Sequence, residues 1–436
     1  MAQVESTTLE RFLHRLIGPG ELMAEATQLG VFQRRRKLAG LAFLSTVLFG
    51  VCGRGRHSIA GLQRLFTLKT GIRVARSVFV KRFNPALSKL MERVLVRLQE
   101  RASQTTSRPP GLLSAFRDVE VVDSTTVRVH RKFASILRGI AAPAALKVHT
   151  RIRALSGELL WHRVTEERKA DMKVLRLGHW ARGVLYLLDR GYADASLWAR
   201  IERVGGFFLT PLKTSFAAKV VWVNPGHSGS RTRAMGKSVW ALATGPGRRA
   251  RRIDVRCEFK ITVRAYNSDT DTVRTKCFRV VGLWNKKLGR YHLYVTNIGV
   301  GVLEPEACAQ AYRLRWQVEL LYAVGKGGLG LGELQYRKRH NLDTFIRVAL
   351  IKASLTMQAR VIASHHLPTG RWLNMKLWAR VWTLHLPSLA ARWSQPRRQK
   401  LPFDWASLAL LAVDPNIQRV PVPVALASGH CNQWAS

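Results

Sequence analysis

Between Tyr312 and Lys326, apolar residues recur at three and four, and no proline intervenes, which predicts a helix. At about 100° per residue, Tyr312, Arg315, Glu319 and Lys326 project within an arc of roughly 60°. A carboxylate on such a strip can hold a divalent cation, while Arg315, Lys326 and the Tyr312 hydroxyl can grip phosphate oxygens beside it. A solvated helix face with Arg–Glu support between turns is the other reading of the same residues. Two aspartates upstream bear on the choice. Asp123 interrupts the β-branched stretch Val119–Val129, and Asp189 ends the continuous apolar run Val184–Leu188, as in strands buried within a sheet. If those strands are neighbours, Asp123, Asp189 and Glu319 meet at one sheet edge. Close carboxylates repel one another and lose solvation, so they are tolerated mainly where cations bind. Oxygen-only ligation suits Mg²⁺ or Mn²⁺, and two such ions about 3.5–4 Å apart suit in-line displacement at phosphorus. Taken singly, each aspartate also fits a strand-end cap or a salt bridge to one of the many arginines.

The elements that must position these groups can be read in order. Residues 1 to about 105 are helical in pattern throughout. The apolar run Leu38–Cys52, after Arg34-Arg35-Arg36-Lys37, is too short to span a bilayer and lacks a cleavage site, so it reads as a buried helix. Ser58 stands at an N-cap position, Gly71 breaks the pattern, and Val74–Phe83 forms a second periodic run. Two short helices about a glycine, the second bearing Arg76, Ser77, Lys81 and Arg82, resemble a helix-turn-helix that would set those cations on DNA, although such pairs occur in any helical bundle. Met91–Arg101 is another amphipathic helix, and Thr105–Gly111 a linker. Strands are expected at 119–129, 145–152, 159–164, 184–189 and 206–210, with helices at 171–181 and 193–204, which together make a mixed α/β unit. From 213 to 300 only strands are expected, around a basic loop at 224–237. Ile253, Val255, Cys257, Phe259, Ile261 and Val263 alternate strictly with polar residues there. The domains expected are thus a helical N-terminal DNA-binding domain at 1–105, a core at 117–212, a β-strand insertion at 213–300, a closing helix within 301–345, and a helical, Trp-rich region at 346–436 that serves in dimerisation.

Composition narrows the function. Lys and Arg number 71 against 27 Asp and Glu, a formal net charge of +44, so the natural partner is a polyanion. The cations are spread along the chain rather than gathered on one amphipathic helix, which favours nucleic acid over a membrane. Five widely spaced cysteines argue against a disulfide framework or zinc knuckle and for a reducing cytoplasm.

Asp123-Ser124-Thr125, Asp189-Arg190-Gly191-Tyr192 and Tyr312-x2-Arg315-x3-Glu319-x6-Lys326 resemble the three motifs of the DDE transposases of bacterial insertion sequences. The last spacing is similar to that of the subgroup called insertion sequence family four, and a chance match to it in a chain this long is of order 10⁻³. The likeness covers roughly residues 30 to 345, with Lys147-x-His149 and Thr296-Asn297. It implies an RNase H-like catalytic core interrupted by a β-strand insertion, with Asp123, Asp189 and Glu319 as metal ligands. Tyr312, Arg315 and Lys326 are then contacts to transposon-end DNA, with Arg190 and Lys213 beside them. The implied partners are double-stranded DNA, as ends and as target, and a second copy of the chain in a synaptic complex. It further implies an aromatic from the insertion stacking on a flipped base; Tyr291 and Trp284 are candidates, with core packing as the alternative for both. Thr210-Pro211-Leu212-Lys213 departs from the family pattern, which has an arginine before its Leu-Lys. Glycines at 325, 327, 328 and 330 predict fraying near Lys326, at up to about 1 kcal/mol each.

Overall fold

The computed structural model describes residues 14, 17–32, 40–50, 58–104, 108–175, 180–244, 252–264, 271–327, 329–394, 404–416 and 422–427. The basic cluster Arg34–Lys37, Cys52 and Cys431 lie outside them. Helices α1 (Pro19–Gln28), α2 (Gly40–Phe49), α3 (Ile59–Thr70), α4 (Arg76–Lys81) and α5 (Pro85–Gln104) come first. The apolar run is the buried helix expected: Phe43 to Phe49 of α2 are all out of solvent. Ser58 caps α3 by accepting from the Gly61 amide, and Gly71, at φ 70°, closes it in the left-handed conformation that favours glycine. The next helix is shorter than its periodicity. It stops at Lys81 because Asn84-Pro85 opens α5, with Asn84 Oδ1 accepting from the Leu87 amide at 2.9 Å, and a residue before proline avoids helical backbone.

The α/β unit follows as β1 (Asp118–Val129), β2 (Ala145–Arg153), β3 (Leu159–Glu166), α6 (Asp171–Leu175), β4 (Val184–Leu188), α7 (Ala195–Arg203) and β5 (Phe207–Pro211). Of the helix expected to 181, residues 176–179 lie outside the described set, and Trp180 and Ala181 are not helical. The insertion comprises β6 (Lys219–Val223), α8 (Arg231–Ala234), α9 (Val239–Thr244), β7 (Arg252–Arg264), β8 (Asp271–Asn285) and β9 (Arg290–Thr296). It is therefore not strand alone. Two short helices interrupt it; one is anchored by buried Val239 and by Trp240, whose indole N–H donates to the Phe216 carbonyl at 3.0 Å. Then come α10 (Pro305–Tyr312), a 3-10 turn at Arg313–Arg315, α11 (Trp316–Gly327), β10 (Glu333–Leu334), α12 (Arg339–Ser364), α13 (Met375–Ser394), α14 (Trp405–Leu410) and α15 (Val422–Ala427).

All strands but one join in the order β3-β2-β1-β4-β5-β9-β8-β7-β6, with β10 pairing alongside β1. β1, β4 and β5 are parallel to one another; on the β1 side β2 pairs antiparallel with β1 and β3 antiparallel with β2, so that β3 runs in the direction of β1 again. Alternate residues of each strand serve opposite cores. Leu185 and Leu187 join one with the N-terminal helices and α10 to α14, while Val184, Tyr186 and Leu188 join another with α7 and the insertion. Trp198 of α7 anchors the second core, stacked on Phe208 with centroids 5.3 Å apart. Strand β7 buries Ile253, Val255, Cys257, Phe259 and Ile261 as its alternation predicts. Helix α12 runs unbroken across residue 345, so no break separates 301–345 from the tail there.

One buried ion pair ties the insertion to the chain leading into α10. Arg279 of β8 is 3% exposed and Asp254 of β7 is 0% exposed. Their bidentate contacts are 2.9 and 2.7 Å, and Arg279 also donates to the Leu303 carbonyl at 2.7 Å. Asp254→Ala should destabilise the protein by about 3–5 kcal/mol, because a buried guanidinium is left unpaired. Urea unfolding checks this, and a loss below about 1 kcal/mol would contradict it.

Candidate active site

The sheet brings the two aspartates together by register. Val122 of β1 pairs with Leu188 of β4, so Asp123 and Asp189 are the next residues along neighbouring parallel strands. Up to Val122 the strand β1 is buried on both faces; from Asp123 onward partly exposed positions appear. β4 ends at the same level while β1 runs on, which opens a crevice at the carboxyl end of the parallel strands, where open α/β sheets place their ligands. Asp189 then turns the chain: its carboxylate accepts from the Gly191 amide at 3.1 Å, capping the 3-10 turn Arg190–Tyr192. Asp123 accepts from the Ser124 amide at 2.7 Å.

Glu319 reaches the same crevice from the first turn of α11. The predicted unbroken helix over 312–326 is two helices with a 3-10 turn between. At about three residues per turn, that turn brings Tyr312 and Arg315 into line, with the guanidinium 5.9 Å from the ring centroid. Arg315 is the meeting point. Its Nη1 lies 3.0 Å from Asp123 and 3.7 Å from Asp189, and its Nη2 is paired with Glu319. Burial pushes the Asp123 carboxyl up to about 6, opposed by the Ser124 amide and Arg315, while Asp189 and Glu319 push the same way as burial.

The other predicted residues fall into two groups. Tyr312 is close but engaged: its hydroxyl donates to the Leu188 carbonyl at 3.3 Å and its ring packs on Tyr294 at 5.1 Å. Lys213 is close too, donating to the Ala193 carbonyl at 3.2 Å beneath the turn after Asp189. Arg190 is exposed on that turn. Lys326 is exposed near the end of α11, which persists to Gly327 despite its glycines. Arg76 and Lys81 are exposed on α4, away from the carboxylates. Arg82 is turned inward, donating to the Val31 carbonyl at 3.3 Å and lying over Phe32. Tyr291 and Trp284 pair across β8 and β9 and pack edge-on at 5.2 Å.

Sequence reasoning passed over Tyr322. Its buried hydroxyl donates to the Asp123 backbone carbonyl at 2.9 Å and bonds the Thr150 hydroxyl at 2.6 Å. The signal was there: seven residues past Arg315, it lies roughly 20° from that residue on the helical wheel.

Three carboxylates from three elements, with oxygen donors alone, are a donor set suited to Mg²⁺ or Mn²⁺. Among the described residues no three His, Cys, Asp or Glu side chains stand close enough together to cage an ion, and the Arg315 guanidinium lies among the carboxylates. The residues fit the group chemically, and the guanidinium occupies the space between them. No helix among the described residues is long and apolar enough to cross a membrane, and Cys257, Cys277 and Cys308 are free thiols.

Residues 114–353 match the family model described as the transposase DDE domain. The chain is similar to the transposase for insertion sequence element IS231B of Bacillus thuringiensis subsp. berliner, 21% identical over 375 residues, which are 78% of this chain and 77% of that one. It is similar to the IS231E transposase of Bacillus thuringiensis subsp. finitimus, 22% identical over 79% of this chain and 78% of that one. A third relative, the IS1151 transposase of Clostridium perfringens, is 20% identical over 63% and 64%. The cryo-EM structure of the piggyBac transposase synaptic complex with hairpin DNA aligns at a TM-score of 0.44 and 10% identity, covering 95% of this chain and 86% of that one.

Tyr322→Phe should cost about 1–3 kcal/mol of stability, since it strips a buried hydrogen bond from the Asp123 carbonyl and from Thr150. Chemical denaturation measures it, and an unchanged midpoint would contradict the role given to this hydroxyl.

Proposed function

The chain belongs to the transposase DDE-domain family, and we propose that Asp123, Asp189 and Glu319 are the carboxylates with which it works on the ends of an insertion sequence. It is a transposase, a DDE-type polynucleotidyl transferase and endonuclease. What supports the residue assignment is one observation: side chains from β1, the end of β4 and α11 all meet the same guanidinium. The strand order β3-β2-β1-β4-β5, with the insertion entering after β5 and Glu319 returning on a helix, is what we take to be an interrupted RNase H-like core.

The chemistry follows from these side chains. Asp123, Asp189 and Glu319 would hold divalent cations, two by this reading, which supply Lewis-acid stabilisation of the attacking and leaving oxygens when bound. The two aspartates sit on hydrogen-bonded strands, so their spacing is fixed by the sheet, while Glu319 closes the set from the helix. Water attacks the phosphodiester at the element's end; its oxygen bonds to phosphorus and the 3′ oxygen leaves as a hydroxyl. That 3′-hydroxyl then attacks a phosphodiester of the target, exchanging one P–O bond for another. Such a sequence moves the element by cut-and-paste between its terminal inverted repeats, in a synaptic complex of two copies of the chain.

Arg315 answers the carboxylates' charge and, with exposed Arg190 and Lys326, lines the approach for phosphate. Tyr312 and Lys213 act at one remove, holding the backbone before and after Asp189. Exposed Arg76 and Lys81 mark the N-terminal helices as a further DNA-facing surface. Arg82, engaged with Val31 and Phe32, supports that surface from behind. The Tyr312-x2-Arg315-x3-Glu319-x6-Lys326 spacing resembles that of insertion sequence family four, and by this reading the action is on DNA in the cytoplasm.

Asp123→Asn, Asp189→Asn and Glu319→Gln should each abolish Mg²⁺-dependent nicking of end DNA while leaving DNA binding intact; nicking that persists in all three would overturn the assignment, and nicking indifferent to end sequence would point to a general nuclease. Binding of end DNA should weaken steeply with salt, since each phosphate neutralised releases counterions. A mobility-shift series from 50 to 200 mM salt, about a 10³-fold fall being expected for six or more phosphate contacts, checks this, and a flat response would contradict it.

A further inference from the structure

Lys147-x-His149 has no part in the account so far, and it points to a fourth carboxylate. Lys147 Nζ lies 3.0 Å from Asp171 Oδ1, and His149 Nδ1 lies 3.8 Å from the same oxygen. Lys147 and His149 are two apart on β2, so they share one face of it. Asp171 opens α6, on a segment outside all three motifs. It accepts from the Ser124 hydroxyl at 3.3 Å, and Ser124 in turn donates its amide to the Asp123 carboxylate.

The same residue touches the other aspartate's support. A Cβ built on Gly191 would lie 3.6 Å from Asp171 Oδ2 and 3.6 Å from Asp189 Oδ2, so both carboxylates border the space that a side chain at 191 would fill, and the Gly191 amide is the one that holds Asp189. Tyr192, next along, bonds His149 Nδ1 through its hydroxyl at 3.4 Å, and the far nitrogen of His149 meets the Thr165 hydroxyl at 2.9 Å. Burial holds the His149 imidazole down to about 4, so it serves the network uncharged.

We propose that Asp171, neutralised by Lys147, is a positioning residue that fixes Asp123 through Ser124 and backs the Gly191–Tyr192 turn that fixes Asp189. This rests on the assignment of Asp123 and Asp189 as metal ligands. The lysine decides the role. A carboxylate already paired with an ammonium and a hydroxyl serves as an acceptor that orients its neighbours, and residues that orient ligands typically govern affinity by 10–100-fold.

The test compares Asp171→Ala, Asp171→Asn and Ser124→Ala with the full-length wild type and with Asp123→Asn. Mn²⁺ binding without DNA is followed by loss of the free-ion electron paramagnetic resonance signal, and single-turnover nicking of end DNA is measured against Mg²⁺ concentration. Asp171→Ala is expected to weaken Mn²⁺ binding about 10-fold and to raise the Mg²⁺ needed for half-maximal nicking by a similar factor, with end-DNA affinity unchanged. Asp171→Asn keeps an oxygen for Ser124 and should recover part of the loss; Ser124→Ala should shift both readouts the same way. Wild-type metal dependence in Asp171→Ala and Ser124→Ala would overturn the proposal. So would an Asp171→Asn protein as inert and as metal-free as Asp123→Asn, since that behaviour belongs to a ligand. Should Asp171→Ala fail to fold, Ser124→Ala alone decides. Nicking by Asp123→Asn would instead sink the ligand assignment itself.

Discussion

Like charges held close together call for an opposite charge among them, and here three carboxylates share one guanidinium. Arg315 contacts Asp123, Asp189 and Glu319 at once, and burial together with the two neighbouring carboxylates pushes the Asp123 carboxyl up to about 6. Partly exposed ion pairs add little to stability, and the mutual repulsion of the acids subtracts from it. The cluster's presence at the carboxyl end of β1 and β4 fits the proposed site, where bound cations would answer the charge.

The rest of the fold follows from holding that cluster. Parallel β1 and β4 set the two aspartates side by side, and the early end of β4 leaves room in front of them. The insertion extends the sheet from β5 outward and returns the chain through β9, so that α10 packs on β5, β7 and β8, the 3-10 turn after it meets β1 and β4, and α11 lies against β1. The Asp254–Arg279 pair and its bond to the Leu303 carbonyl fasten that return just before α10. Tyr322 then fastens α11 to the Asp123 backbone. Glu319 is thereby placed by two anchors on either side of it in the chain.

Much of this was legible beforehand because it lives in periodicity and in the neighbours of charged residues. The buried run before Asp189, the alternation of β7 and the cap at Ser58 all depend on contacts within a few residues, and each element formed as its pattern required. The 3-10 turn at Arg313–Arg315 was not legible, since a shift of one residue in a helix leaves the apolar spacing nearly unchanged. Nor were the short helices of the insertion, where Val239 and Trp240 are held by partners distant in sequence. Arg82 looked like its neighbours Arg76 and Lys81, and only the approach of Phe32 and Val31, some fifty residues away, turned it inward. Tyr322 and Asp171 escaped for the same reason: the hydroxyl and the carboxylate matter through what lies across the sheet.

The formal charge of +44 explains affinity for a polyanion but says nothing of chemistry, which depends wholly on where the scarce acids converge. The most direct measurement is anomalous diffraction at the manganese edge from crystals of the protein bound to its end DNA in Mn²⁺. The account predicts manganese peaks bonded to carboxylate oxygens of Asp123, Asp189 and Glu319, with the Arg315 guanidinium drawn away from among them. Manganese at other residues, or the three side chains still closed on Arg315 with no metal beside them, would contradict it.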